Sequence, residues 1–498
     1  MRERITFVQK LGDSLEPSEL KVDSTTVSGP EVHAVREERL KFSVDELPSE
    51  LQTLLSDFQG LDIKWVTDAY HETVSPLLSR LPPGFHVVFT PRRPDTSLDS
   101  LCSALVELFG DDIYCSNESF TALSKAQSTG VTTLQYYQPL RSLSHLTRRA
   151  RSLLCRSDDT SCSNRLDSLT SASSLDIAYD SDANDFRVTA TWPYQRQHIH
   201  ATSREGHRTE VGILSTDKPK TLDPHEIGIS GLITVLRENK KLSPVLFSFA
   251  ARHRDAESSF SARFLSPTGL HPTLQLRLSS ARPPRSPEEQ ECSLHAYLTL
   301  PRTIFPDRYQ LSDPIFLASK NLSALRFATK PVDLEAPDYA VPQWGLALLL
   351  DLATPTESAA AGEFTAEIPL HLRYLAPASG GYRSIEIPYP AVFWACRDPA
   401  VADAPLGPFE RSGLGYDALF ADKPGIVFWH VEPKPAAGQG SRMVNTVRVP
   451  VLDMDKAGWV NLGTAAVIVF GFAWVVGRLA GVWLRRVAAE KERKKKTQ

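Results

Sequence analysis

The Asp-x-Asp spacing occurs twice, at Asp180-Ser181-Asp182 and Asp453-Met454-Asp455. That spacing can hold a divalent cation against a sugar phosphate, which is the chemistry of a membrane-tethered glycosyltransferase. Two matches among 59 acidic residues are what chance supplies, and neither pair lies in a recognisable nucleotide-binding unit. Both are therefore expected to be solvated loop residues. His198-Ile199-His200 puts two imidazoles on one face of a strand, but no third ligand follows at metal-binding spacing. There is no GxSxG elbow, no phosphate-cradling Walker loop, and no GxGxxG in a βαβ setting. His371 and Arg373 share the outward face of a strand, where they read as a solvated or locally hydrogen-bonded pair or as a contact to a partner. No catalytic set can be assembled, and no metal or other cofactor is expected.

The chain must still position whatever it does. Its 498 residues exceed one ordinary domain. With 42% hydrophobic and 23% charged residues it can bury a sizeable core. A net charge of −4 argues against nucleic acid as a partner. Proline outnumbers glycine, 36 to 26, which favours strands joined by proline-bearing loops.

One stretch is of a different kind. Residues 459–477 (WVNLGTAAVIVFGFAWVVG) carry no charge, and the apolar run resumes after Arg478 as far as Leu484. A helix of this length matches the roughly 30 Å hydrocarbon layer of a bilayer. Trp459 and Trp483 flank it as interfacial aromatics do. The tail, RRVAAEKERKKKTQ, holds an excess of Lys and Arg, which places it in the cytosol and the large N-terminal part across the membrane. A tail anchor with the opposite orientation would carry those cations through the bilayer. Residues 1–30 show no apolar signal-peptide core, so the terminal span is the candidate insertion signal. Lys495 and Lys496, fourth and third from the end, resemble the dilysine retrieval signal of endoplasmic-reticulum membrane proteins. Within the span, Ala473, Gly477 and Gly481 recur every fourth residue, a spacing that lets a partner helix approach closely.

Ahead of the span, residues 1–155 mix strands (Ile5–Gln9, Asp62–Thr67, His86–Thr90) with helices (Ser97–Phe109, Ser142–Leu154), a small α/β region. Residues 156–175 are rich in Ser and Asp and read as a linker. From 176 to 455 the period becomes two. Leu274, Leu276 and Leu278 alternate with polar neighbours, as do Leu294, Ala296, Leu298 and Leu300, and Phe364 through Tyr374. Each run puts one side into a core and the other toward solvent. The fold class is mainly β: an antiparallel sandwich or jelly-roll-like domain, followed by the membrane helix at 459–484 and the tail at 485–498. Residues 281–290 and 354–363 read as loops. Asn117-Glu118-Ser119 and Asn321-Leu322-Ser323 are glycosylation sequons. The six cysteines show no zinc spacing and read either as lumenal disulfides or as buried thiols.

Four motifs then occur in order: Cys292, His295 and Leu300-Pro301; Phe305-Pro306-Asp307-Arg308-Tyr309; Leu334-Glu335-Ala336-Pro337-Asp338-Tyr339; and Leu370-His371-Leu372-Arg373-Tyr374 ahead of Cys396. Followed by a single span, this set resembles the PIG-X family and its fungal counterparts over residues 291–484. The resemblance implies a non-catalytic lumenal accessory subunit of glycosylphosphatidylinositol mannosyltransferase I, with one span in the endoplasmic reticulum. Its implied partner is a multi-span catalytic subunit of the PIG-M type, which adds the first mannose to glucosaminyl-phosphatidylinositol. Residues 1–290 look like the N-terminal extension of fungal members. Cys292 and Cys396 fall within the matching motifs, so the resemblance implies a disulfide between their strands. A general lumenal chaperone or cargo receptor, and a glycosyltransferase using Asp180 and Asp182, are the rival readings.

Overall fold

A computed structural model describes residues 1–13, 15–125, 131–156, 158–219, 221–284, 291–329, 333–354, 362–438 and 440–496, with backbone alone at 124–125 and 494–496. Residues 285–290 and 355–361, inside the two expected loops, lie outside the described residues.

The alternating segments form two large sheets. The first takes β1 (Arg2–Gln9), β2 (Lys21–Val22), β3 (Thr26–Ser43), β4 (Phe58–Val66), β5 (Gly84–Pro91), β6 (Thr121–Lys125), β7 (Thr132–Gln138), β8 (Ser174–Asp180), β9 (Asp185–Thr202), β10 (Arg208–Asp217), β11 (Glu226–Val235) and β12 (Ser243–Ala250). Their order is β12-β11-β10-β1-β3-β9-β8-β4-β5-β7-β6, with β2 on β3. The pairing is antiparallel except between β1 and β10.

The second sheet takes β13 (His253–Phe264), β14 (Thr273–Leu278), β15 (Cys292–Pro301), β17 (Leu322–Ala328), β18 (Gly345–Leu352), β19 (Phe364–Pro369), β22 (Ala391–Arg397) and β23 (Ile426–Pro433), in the order β17-β18-β15-β22-β23-β13-β14-β19. Two separate two-stranded ribbons are also formed, β16 (Ile304–Phe305) with β20 (His371–Leu372), and β21 (Tyr382–Pro388) with β24 (Val444–Pro450). The protein is mainly β, as its alternation requires.

The two sheets share one core. Trp65, Phe85, Val87 and Tyr136 of the first pack in the same buried cluster as Tyr297, Leu349, Phe393 and Phe428 of the second. Helices α2 (Asp99–Phe109) and α3 (Ser144–Leu154) lie within the expected helical segments, a short α1 (Ser49–Leu55) precedes them, and Leu98, Leu101 and Leu105 are buried.

Two expectations are corrected. Residues 156–175 do not separate two sheets, because strands on both sides of them join the first one. Their polar composition instead serves a short helix, α4 (Thr160–Ser168), capped by Asp159 accepting the Cys162 amide at 2.9 Å and tied to the end of α3 by the Cys155–Cys162 disulfide. The alternation in β15 also misleads, since both of its faces are buried from Leu294 to Leu300. Two polar side chains of the second face find buried partners. Tyr297 and Gln135 meet at 2.8 Å, and His295 meets Asp351 at 2.8 Å.

Chain contacts divide the protein into two units, one of residues 1–373 with 386–447, the other of residues 374–385 with 448–498. In the second unit Val451 donates its amide to Gly381, and Asp453 accepts the amides of Gly380 and Asp455 at the start of a 3-10 turn. From there runs α6 (Ala457–Lys496), the one described helix long and apolar enough to cross a membrane, with none of its apolar stretch buried.

Candidate functional site: the motif loops around Arg373

The last three sequence motifs converge. Phe305 in β16 pairs with His371 in β20, and the two rings stack with centroids 5.5 Å apart. Arg373, two residues on, is 6% exposed. Its guanidinium lies over Phe305, 4.4 Å from the ring centre. From there it donates to the backbone carbonyls of Asp333 and Ala336, the latter at 2.8 Å. The outward-facing reading of Arg373 is therefore corrected: it is a buried clamp that shapes the Leu-Glu-Ala-Pro-Asp-Tyr segment. Burial pushes its pKa down, opposed by the carboxylates of Asp333 and Asp338.

The clamped segment is stiffened from within. Asp333 Oδ1 accepts the amides of Glu335 and Ala336 at 2.8 and 3.0 Å, and Asp307 does the same for Tyr309 and Gln310. His371 remains partly exposed, with its Nδ1 3.1 Å from Nδ1 of His271. Partial burial, then the neighbouring His271, lowers its pKa. Behind the clamped segment lies a cavity of ≈ 210 Å³, lined in part by Arg302, Gln343 and Arg373.

The first motif does separate work at the other end of β15. Cys292 and Cys396 sit directly opposite on β15 and β22 and are disulfide-bonded. His295 lies between two partners, Nδ1 at 2.8 Å from Asp351 and Nε2 at 2.7 Å from Ser293 Oγ, while Arg326 grips the second oxygen of Asp351. The order Ser, His, Asp is that of a hydrolase triad. Ser293, however, stands inside a paired strand rather than at an exposed strand-to-helix elbow. These polar contacts tie β15 to β18 and β17.

The other candidates stay apart from this cluster. Asp180 Oδ1 accepts the amides of Asp182 and Ala183, closing the β8–β9 hairpin. Asp453 caps the 3-10 turn before α6. His198 and His200 are both exposed on β9, their rings stacked 6.2 Å apart. Among the described residues no group of three His, Cys, Asp or Glu side chains is placed to hold a metal ion.

Asn117 and Asn321 are exposed. Asn117 accepts the Leu98 amide at the start of α2, and Asn321 has a positive φ of 54° and donates to Thr365 O. Ala473, Gly477 and Gly481 lie on α6, and a Cβ on either glycine would meet no atom within 4 Å. The Lys495 and Lys496 side chains lie outside the described residues.

Sequence reasoning missed a strap between β22 and β23. Arg4 and Arg39 of the first sheet donate to Pro408 O at 2.8 and 2.7 Å, Phe409 packs with Val8 and Val35, and Arg411 pairs with Asp176. Gly413, at φ +68°, passes so close to Asp62 that any Cβ would collide with its carboxylate. The only sequence signal was four glycines, Gly407, Gly413, Gly415 and Gly425, in a long connection.

Comparison with known proteins gives the lineage. A family profile described as PIG-X / PBN1 matches residues 267–480, which contain the whole Arg373 cluster. Protein pbn1 of Neurospora crassa is 53% identical over 486 residues, spanning 97% of this chain and 95% of its own. Protein PBN1 of Gibberella zeae is 43% identical over 97% of this chain and 96% of its own. The chain belongs to the PIG-X / PBN1 family. Likeness to these fungal members extends through the N-terminal region, well beyond the profile. A shorter match, 33% over 139 residues, is to Protein pbn1 of Schizosaccharomyces pombe. Membership in the PIG-X / PBN1 family ties the chain to glycosylphosphatidylinositol-anchor biosynthesis.

Proposed function

We propose that this chain is a non-catalytic lumenal subunit of the endoplasmic-reticulum mannosyltransferase that adds the first mannose to glucosaminyl-phosphatidylinositol, and that it stabilises a multi-span catalytic partner of the PIG-M type. The observation that carries the reading is the use to which the family motifs are put. Arg373, Asp307 and Asp333 hydrogen-bond backbone groups, while His295 and the Cys292–Cys396 bridge tie neighbouring strands together. Such a site shapes a surface; it does not gather groups around a reacting atom.

Two features support the lumenal orientation. All six cysteines pair, as 102–115, 155–162 and 292–396, which suits an oxidising compartment. The cationic end of α6 suits the cytosolic side, where Lys495 and Lys496 act as a retrieval signal, and α6, the one described helix long and apolar enough to span, serves as the membrane anchor. Asn117 and Asn321 are then accessible to lumenal glycosylation. The Ala473, Gly477 and Gly481 face of α6 packs on a partner helix.

Stabilisation follows from mass action, since a partner that binds only the folded enzyme raises its folded population. The test is a pulse-chase of the catalytic subunit in cells depleted of this chain. Its half-life falls several-fold while unrelated membrane proteins persist. A broad fall across unrelated clients points to the general chaperone, and an unchanged half-life contradicts stabilisation.

A further inference from the structure

Three loops are fixed from beneath by Arg373 and His371. The Phe305–Gln310 loop is held through the Phe305–His371 pairing, and the Asp333–Tyr339 segment through the guanidinium of Arg373. The turn at Leu270 and His271 is held by the Leu372 amide, 2.9 Å from Leu270 O, and by the His271–His371 contact.

These rigid loops turn large apolar side chains outward. Tyr309 is 66% exposed and Tyr339 68%; Leu334 is exposed beside the clamp, and Ile315 at the start of α5 (Pro314–Ser319) is 83% exposed. An aromatic side chain on a pre-ordered loop loses little freedom when a partner covers it, which is the anatomy of an interface anchor. The surrounding charge is mostly negative. Among the described residues of these loops and of the adjoining α5, Asp313, Asp333 and Glu335 are exposed, and the exposed cation Arg308 lies over the ring of Tyr309.

We infer that this face is the docking site for an extended lumenal segment of the membrane-embedded catalytic subunit, one that carries apolar anchors flanked by Lys or Arg. The inference rests on the proposed function and adds the contact surface to it. An acidic rim complements such a segment and opposes an anionic lipid surface.

The test places a photo-cross-linking phenylalanine analogue at Tyr339 of the full chain in microsomes, with the catalytic subunit tagged. Irradiation is expected to yield a covalent adduct between the two subunits. In parallel, Tyr309→Ser with Tyr339→Ser lowers recovery of the catalytic subunit with this chain by at least ~10-fold, the scale of losing two interface anchors, while the non-reducing gel mobility of the chain is unchanged. If the wild-type chain recovers no mannosyltransferase at all, the functional reading fails and the docking site with it. If it does recover the enzyme, but Tyr339 couples only to lipid or to a second copy of the chain, or the double variant recovers the enzyme undiminished, the docking face is wrong and the function stands. A double variant that is lost through misfolding leaves the cross-link at Tyr339 to decide.

Discussion

Arg411 grips Asp176 across 235 positions of the chain, its Nε and Nη2 lying 2.6 and 2.7 Å from the two carboxylate oxygens. The pair joins the strap of the second sheet to β8 of the first. Burial alone would raise the Asp176 pKa, but Arg411, followed by Lys64, holds it below the ordinary value. The N-terminal region and the PIG-X-like region are thus bound by a buried ionic contact as well as by a shared core.

Removing one side of that pair leaves the other charge buried. Arg411→Ala is expected to cost roughly 3–5 kcal/mol, read as a lowered unfolding midpoint of the detergent-solubilised chain. Arg411→Ala with Asp176→Asn costs less than the sum of the two single changes. Additive losses would show that the contact is not made.

The Cys292–Cys396 bridge closes 104 residues of sequence. Constraining a loop of that length is worth up to about 4–5 kcal/mol in the unfolded-chain entropy account. Cys292→Ser therefore lowers stability and alters mobility on a non-reducing gel. An unchanged mobility would mean that the two cysteines do not pair.

Acid should loosen the second sheet. His253 and His430 lie side by side, Nδ1 to Nε2 at 2.9 Å, both buried. Burial, then the cation of Arg411, lowers His253 to about 3; burial, then His253, Arg80 and Arg411, lowers His430 well below its ordinary value. Between those values and about 6.5 the unfolded chain binds more protons than the folded one, so this stability is full above pH 6.5 and is lost as pH falls. At pH 5.5 the loss is roughly 2–3 kcal/mol for the two groups together. Glu410, 3.5 Å from His253 and raised by burial to about 7, works in the opposite sense. Glu410→Gln consequently steepens the fall of the melting temperature between pH 7.5 and 5.5. A flat or shallower profile in the variant contradicts this assignment.

Arg373→Lys keeps a cation but cannot hold both carbonyls while lying flat on Phe305. A loss of roughly 1.5–3 kcal/mol is expected, with new protease cleavage inside Asp333–Tyr339. Unaltered digestion would show that the segment does not depend on the clamp.

Gly481→Leu meets no atom within the chain itself, so its effect reports on a partner. Association with the catalytic subunit should weaken while the level of this chain is unchanged. Unaltered co-purification would remove α6 from the interface.

Much of this protein is legible in its sequence where periodicity is decisive. Leu274, Leu276 and Leu278 are all buried, Phe364 through Leu372 alternate as their residue types require although Tyr374, the end of that run, is exposed, and α6 is where the uncharged run places it. What was hidden depends on contacts between distant segments. Arg373 has the composition of an exposed strand residue, and only the arrival of Asp333 and Ala336 makes its burial favourable. Nothing in the sequence singles out the pairing of Asp176 with Arg411, for the same reason. The Ser- and Asp-rich stretch at 156–175 resembled a linker because a helix of nine residues with a disulfide tether needs few apolar side chains. The motif loops were recognisable as a set, but their meeting around one guanidinium was not.

The central claim is that this chain is needed for the first mannose transfer without performing it. The direct measurement is mannose transfer from dolichol-phosphate-mannose to glucosaminyl-phosphatidylinositol in microsomes depleted of the chain. The account predicts loss of that step, intact later steps when a mannosylated acceptor is supplied, and no transfer by the purified chain alone. Normal transfer in depleted microsomes, or transfer by the chain without a partner, would contradict it.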